Sequence, residues 1–149
     1  MIQIKHIQEN KKRFLPLLLL ADEQEDMIDS YLDRGDLFVL FDDDDPKGLC
    51  VITREADDLF EIKNLAVYPH DQRKGFGRCL VDYVSERYTG KATTIQAGTG
   101  EVPSVLLFYQ RCGFTMSHRI PNFFIDHYDH PMIEEGVPLI DMVYLKKSL

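Results

Sequence analysis

A single α/β domain on a mixed, mostly antiparallel sheet is predicted by three observations. The chain has 149 residues, enough for one domain with a substantial core. Its apolar share of 44% and charged share of 28% are those of a globular protein. Strand-like and helix-like runs follow in the order strand, two helices, three antiparallel strands, helix, strand, helix, two strands. That order gives six to seven strands flanked by about four helices, all within a domain spanning 1–149.

Each element has its own signal. Ile2, Ile4 and Ile7 open the chain as a strand. Asn10 is placed to cap a helix reaching about Leu20, with Pro16 against it, and Asp22 to cap a second helix that stops at Gly35. Leu37–Phe41 and Leu49–Thr53 read as a hairpin around the turn chemistry of Asp42 to Gly48. A calcium loop is the sharper reading of those aspartates, but Pro46 falls where a ligand is needed, so a solvated turn is preferred. Leu59–Val67 is a long strand, Lys74–Tyr88 a helix with Leu80, Val81 and Val84 on one face, and Thr93–Ala97 a short strand. Pro103 starts the last helix and Gly113 stops it. Phe114–Ile120 and Val137–Leu145 are strands, and Pro121–Gly136, lacking a period, is a loop.

Charge and cysteines narrow the function. A net charge of -8 and a pI near 5.0 argue against nucleic acid as a main partner. Cys50, Cys79 and Cys112 form neither a disulfide framework nor a zinc knuckle, which fits a reducing, cytoplasmic setting. No membrane segment is expected: Phe14–Ala21 is too short to cross a bilayer, and charges break up the start against a signal peptide.

The most informative stretch is Gln72-Arg73-Lys74-Gly75-Phe76-Gly77, between the Leu59–Val67 strand and the following helix. Two glycines one residue apart let the backbone turn tightly and meet a ligand closely. The helix start offers unpaired N–H groups and a positive dipole end, which suit a diphosphate, and Arg73, Lys74 and Arg78 add charge. A Walker loop would need Gly-Lys-Ser/Thr, which is absent. A dinucleotide fold would need a third glycine where Leu80 stands.

Leu65-Ala66-Val67-Tyr68-Pro69 followed by Gln72 to Gly77 resembles the acetyl-CoA-binding motif of the GNAT acetyltransferase superfamily, Gln/Arg-x-x-Gly-x-Gly/Ala. Leu107-Phe108-Tyr109-Gln110-Arg111-Cys112-Gly113-Phe114 resembles that family's later motif, a helical tyrosine followed by Gly-Phe. The resemblance implies the GNAT fold and an acetyl-CoA-dependent N-acetyltransferase that moves an acetyl group to a primary amine by direct attack in a ternary complex, without a metal. It implies a diphosphate held by the amides from Arg73 to Arg78. It also implies a pantetheine arm lying along Leu65, Ala66 and Val67 where two strands splay, and an N–H near Val67 facing the thioester carbonyl. It makes Tyr109 the general acid for the departing thiolate, and Glu61 the position of a general base, against which stand a solvated strand residue, a partner for Lys63, and deprotonation through ordered water. Asn64, by strand alternation, should face away from Glu61. The family's asparagine ahead of the tyrosine is missing, and either Ser104 replaces its contact with the arm or that contact is absent.

Asp126-His127-Tyr128-Asp129-His130 has ligand chemistry suited to zinc, but is read instead, with Phe123, Phe124 and Glu134 or Glu135, as lining for an acceptor pocket that favours a cationic amine. The acceptor stays open between small-molecule amines and protein amino groups. A homodimer through the final strands is a family-level expectation. The alternative function is a non-catalytic acyl-CoA-binding or sensing module.

Overall fold

The computed structural model describes all 149 residues. Seven strands form one sheet in the order β1-β2-β3-β4-β5-β9-β6. They are β1 (Ile2–Ile7), β2 (Asp36–Asp42), β3 (Asp45–Ala56), β4 (Leu59–Val67), β5 (Thr94–Gly100), β6 (Thr115–Ile120) and β9 (Met142–Ser148). Every neighbouring pair is antiparallel except β4 and β5. The helices are α1 (Leu15–Ala21), α2 (Glu25–Asp29), α3 (Phe76–Tyr88), α4 (Pro103–Arg111) and α5 (Phe123–His127).

Strand alternation divides the core. Phe38, Leu40, Ile52, Phe60 and Ile62 turn to the face covered by α3 and α4, where Leu80, Val81 and Val84 meet them. Leu37, Val39, Leu49 and Val51 turn to the other face, where Leu17 and Leu18 of α1 and Ile28 of α2 close over them. The central strands β2, β3 and β4 are thus buried on both sides, which their nearly continuous apolar runs require.

Several local expectations change. Asn10 makes no side-chain cap; it sits at φ 51° before a short 3-10 turn, Lys11–Phe14, and α1 begins only at Leu15. Pro16 falls in the first turn of α1, where a missing N–H removes no helical bond, so it shortens the element without breaking it. Asp22 does not cap α2. It ends α1 and is buried, accepting hydrogen bonds from Tyr31 at 3.3 Å and Tyr128 at 2.8 Å. The hairpin turn is tighter than the sequence suggests: only Asp43 and Asp44 lie outside the strands, at φ 50° and 71°. That left-handed pair matches the twist of an antiparallel hairpin, and Asp tolerates it.

The expected loop 121–136 contains α5 and the start of a separate small hairpin, β7 (Ile133–Glu134) with β8 (Val137–Pro138). The final strand accordingly starts at Met142 rather than Val137. This insert rests on its own small cluster, Val102, Phe124 and Leu139.

Candidate active site

The site opens where two parallel strands part. β4 pairs β5 only from Leu59–Thr94 to Ile62–Ala97. Past that point β4 continues to Val67 and β5 to Gly100 without bonding each other. Between them lies a cavity of ≈ 210 Å³, walled by Leu65, Ala66 and Val67 on one side and Gly98 and Thr99 on the other, with Tyr109 reaching it from α4. A strand edge that loses its partner keeps polar main-chain groups available for an extended ligand.

The glycine loop stands at the end of this wedge. Arg73 and Gly75 both have positive φ, 65° and 89°, and Gly75 is the residue that precedes α3. None of the main-chain N–H groups from Arg73 through Arg78 finds an acceptor within the protein; the next along the chain to do so is that of Cys79, which donates to the Gly75 carbonyl at 3.0 Å. Consecutive unpaired amides at a helix start form a concave anion site. Gly77 sits close under Phe108: a Cβ there would meet the ring at 3.3 Å, a tight contact that the ring must yield to. Gln72 ties the loop to the strand by donating Nε2 to the Val67 carbonyl at 3.1 Å, and its side chain also lines the cavity. Beneath the loop, buried Asp71 gathers His70 at 3.1 Å, Lys74 at 3.4 Å and Lys47 at 3.5 Å. Although burial opposes it, the charges of His70 and Lys47 and the Lys74 contact hold the Asp71 carboxyl below the ordinary range. Arg73, Phe76 and Arg78 complete the loop, with Arg78 3.7 Å from Asp82.

Tyr109 is 7% exposed, wedged edge-on between the rings of Phe108 and Phe114 at 5.3 and 5.4 Å. Its hydroxyl makes no hydrogen bond within the protein, and the residue lines the cavity. Burial, with smaller contributions from Cys50 and Cys112, raises the phenol above its ordinary value, so it stays protonated through the physiological range.

Glu61 is placed differently from a free base. It is buried, its Oε1 accepts from Gln96 Nε2 at 2.5 Å, its Oε2 pairs with Lys63 at 2.8 Å, and it does not line the cavity. Lys63 lines it instead. The expected opposition of Glu61 and Asn64 is overturned by a β-bulge. Val51 pairs Asn64 while the next residue, Ile52, pairs Ile62, so Lys63 is an extra residue in β4. The slip brings Asn64 onto the side of the α1 and α2 core, where it donates to the Leu18 carbonyl and to Tyr31 Oη, both at 3.0 Å. Ser104 turns away from the cavity and donates to the Glu135 carboxylate.

A second cavity, of ≈ 180 Å³, lies beside the first and shares Leu20, Ala21, Lys63, Thr99 and Glu134 with it. Its far side comes from the 121–140 insert through Phe124, Tyr128, Met132 and Leu139. Tyr128 is the one member of the Asp126–His130 cluster that lines it. His130 instead sits outside, 2.6 Å from Asp129 and 3.0 Å from Glu23, and those two carboxylates raise its pKa. Glu23, Asp22, Lys63 and Thr99 are lining residues that the sequence did not point to. Asp22 carried a signal, an acid at the end of an apolar helix, but it was consistent with a cap. Lys63 carried none, because a bulge has no signature in one sequence.

A family model described as an acetyltransferase (GNAT) domain matches residues 33–116. An uncharacterized N-acetyltransferase, YvbK, of Bacillus subtilis is 36% identical over 150 aligned positions, covering 99% of this chain and 97% of the relative. The crystal structure of a GNAT family acetyltransferase from Elizabethkingia anophelis with acetyl-CoA bound superposes with a TM-score of 0.95 at 32% identity, covering 99% and 98% of the two chains. That of a Bacillus subtilis acetyltransferase in complex with CoA gives 0.91 at 36%, covering 100% and 99%. No helix is long and apolar enough to cross a membrane.

Proposed function

The chain belongs to the GNAT acetyltransferase family, and from that premise we propose that it acetylates a primary amine with acetyl-CoA, by direct attack in a ternary complex. The observation that carries this reading is the run of unpartnered amides from Arg73 to Arg78 at the mouth of the β4–β5 wedge. The residues fit the cosubstrate: an anion cradle, a strand edge for an extended amide-bearing arm, and a phenol in the same cavity. The relatives solved with acetyl-CoA and CoA support it. When bound, acetyl-CoA supplies an acetyl thioester that an amine attacks, releasing a thiol.

The chain's own residues have separable tasks. The Arg73–Arg78 amides and the start of α3 hold negative charge without needing to reorganise. Leu65, Ala66 and Val67 present the edge along which the arm extends. Tyr109, kept neutral by burial, holds a proton at Oη for the leaving sulfur. Glu61 is proposed as a positioning residue: with Gln96 behind it, it fixes Lys63 in the cavity wall. The second cavity is the acceptor's place, since it adjoins the first and is walled by a different part of the chain. Holding both partners side by side supplies much of the rate.

Isothermal calorimetry with acetyl-CoA, followed by thiol release with a panel of amines, tests the proposal. Binding with amine-dependent thiol release is expected. Binding without release from any amine favours a sensing module, and no heat of binding removes the assignment.

A further inference from the structure

Four charged side chains line the two cavities, and three of them are already answered within the protein. Lys63 is paired with Glu61 at 2.8 Å and Glu55 at 3.4 Å. Asp22 accepts from Tyr31 and Tyr128. Glu23 meets His130 at 3.0 Å. Glu134 has neither an ion pair nor a hydrogen bond, and it lines both cavities, so its carboxyl stands where the acceptor's space meets the space that holds Tyr109. The rest of the acceptor cavity mixes apolar side chains, Leu20, Phe124, Met132, Leu139 and Met142, with Tyr128, Thr99, Lys63 and the two acids Asp22 and Glu23.

Resting on the acetyl-transfer reading above, we infer that Glu134 is the group that docks the acceptor's ammonium and takes its first proton. One unanswered carboxylate satisfies one ammonium. An acceptor carboxylate would compete with Glu61 for Lys63 beside the acids Asp22, Glu23 and Glu134, at a desolvation cost. The proton account closes. The ammonium gives one proton to the Glu134 carboxylate, which passes it to solvent. The neutral nitrogen then forms the C–N bond as the C–S bond breaks, and the sulfur receives the Tyr109 proton. The second nitrogen proton restores the phenol through solvent. The net products are amide, thiol and one proton.

Glu134 shares the lining of the two cavities with Lys63 from β4, Tyr109 from α4, Asp22 and Glu23 from the α1–α2 link and Tyr128 from the insert, and Glu135 follows it in the chain. Partial burial, then the negative charges of Glu135 and Glu23, raise its pKa, moving it toward the operating pH of a base. Neutralising Glu135 therefore lowers it.

The test uses the full chain with 2-phenylethylamine, spermidine and phenylalanine as acceptors. Expected are a higher kcat/KM with 2-phenylethylamine and spermidine than with phenylalanine, a fall of about 100-fold in E134Q, and unchanged acetyl-CoA affinity by calorimetry. The acid limb of kcat/KM should move to lower pH in E135Q. An NMR titration of the Glu134 carboxyl should show the same displacement without any turnover. Equal rates in wild type and E134Q, or an acid limb indifferent to E135Q, overturn the role of Glu134. Preference for phenylalanine over both other amines overturns the docking of the ammonium by Glu134. Loss of acetyl-CoA binding in the wild type would instead remove the acetyl-transfer reading itself.

Discussion

Tyr109 and Glu61 show how far a single residue can be judged from its neighbours in sequence. Tyr109 was legible because a Gly-Phe pair follows it at a fixed distance, and that spacing survives as an edge-on contact with Phe114. Tyr109→Phe is expected to reduce turnover by about 100-fold while leaving acetyl-CoA affinity within about twofold, as stopped-flow thiol release and calorimetry would show. Equal turnover in the two proteins would exclude it as the acid. Glu61 was legible only as a carboxylate on the right strand. What its two oxygens bind depends on Gln96 across the sheet and on the bulge at Lys63, neither of which a spacing reveals. Glu61→Gln leaves Lys63 with only Glu55, so we expect a loss of about 1–3 kcal/mol in chemical denaturation. The acid limb of the pH–rate profile should stay in place; a flattened limb would restore Glu61 as the base.

At the scale of elements, the long and strongly patterned ones were legible and the short ones were not. β4 has the bounds its apolar run indicates, and α3 differs only in starting at Phe76. The reason α3 starts there is Gly75: its left-handed conformation turns the chain so that the preceding amides point outward. Gly75→Ala meets no atom within 4 Å, so the strain comes from φ alone and costs about 1–2 kcal/mol. The measurable outcome is weaker acetyl-CoA binding with little change in the far-ultraviolet spectrum; unchanged affinity would mean that the loop's shape is not what binds. By contrast α5, β7 and β8 have five, two and two residues. Segments so short have no period to read. They exist because Phe124 and Leu139 pack together and because Tyr128 reaches Asp22 across the molecule.

For the whole molecule, the two-sided core follows from the nearly continuous apolar runs of β2 and β3, whereas the wedge was legible only through the family resemblance, which names the strands that splay. Parting strands are a property of a pair, and no single run of residues encodes where pairing stops. Leu18 is fully buried in the α1 face of the core, and Leu18→Ala should destabilise by about 2–5 kcal/mol, read as a lower denaturant midpoint. Acid sensitivity has a definite sign. Glu55, Asp71 and Asp141 have lowered carboxyl pKa values in the folded state. Their contribution is complete above the unfolded carboxylate value near about 4 and is lost as pH falls through the folded ones. Asp22 acts in the opposite sense, since burial raises it. The melting temperature should therefore decline on acidification below about pH 4; a rise there would show that Asp22 dominates.

The far wall of the acceptor cavity stands on three buried residues, Val102, Phe124 and Leu139, outside both faces of the main core. The cluster meets the sheet only at its edge, through Met142 and Gly100, and has no member in the glycine loop. Recutting that wall should therefore change which amine is taken while the grip on the donor stays intact, as a tool keeps its handle when the bit is changed.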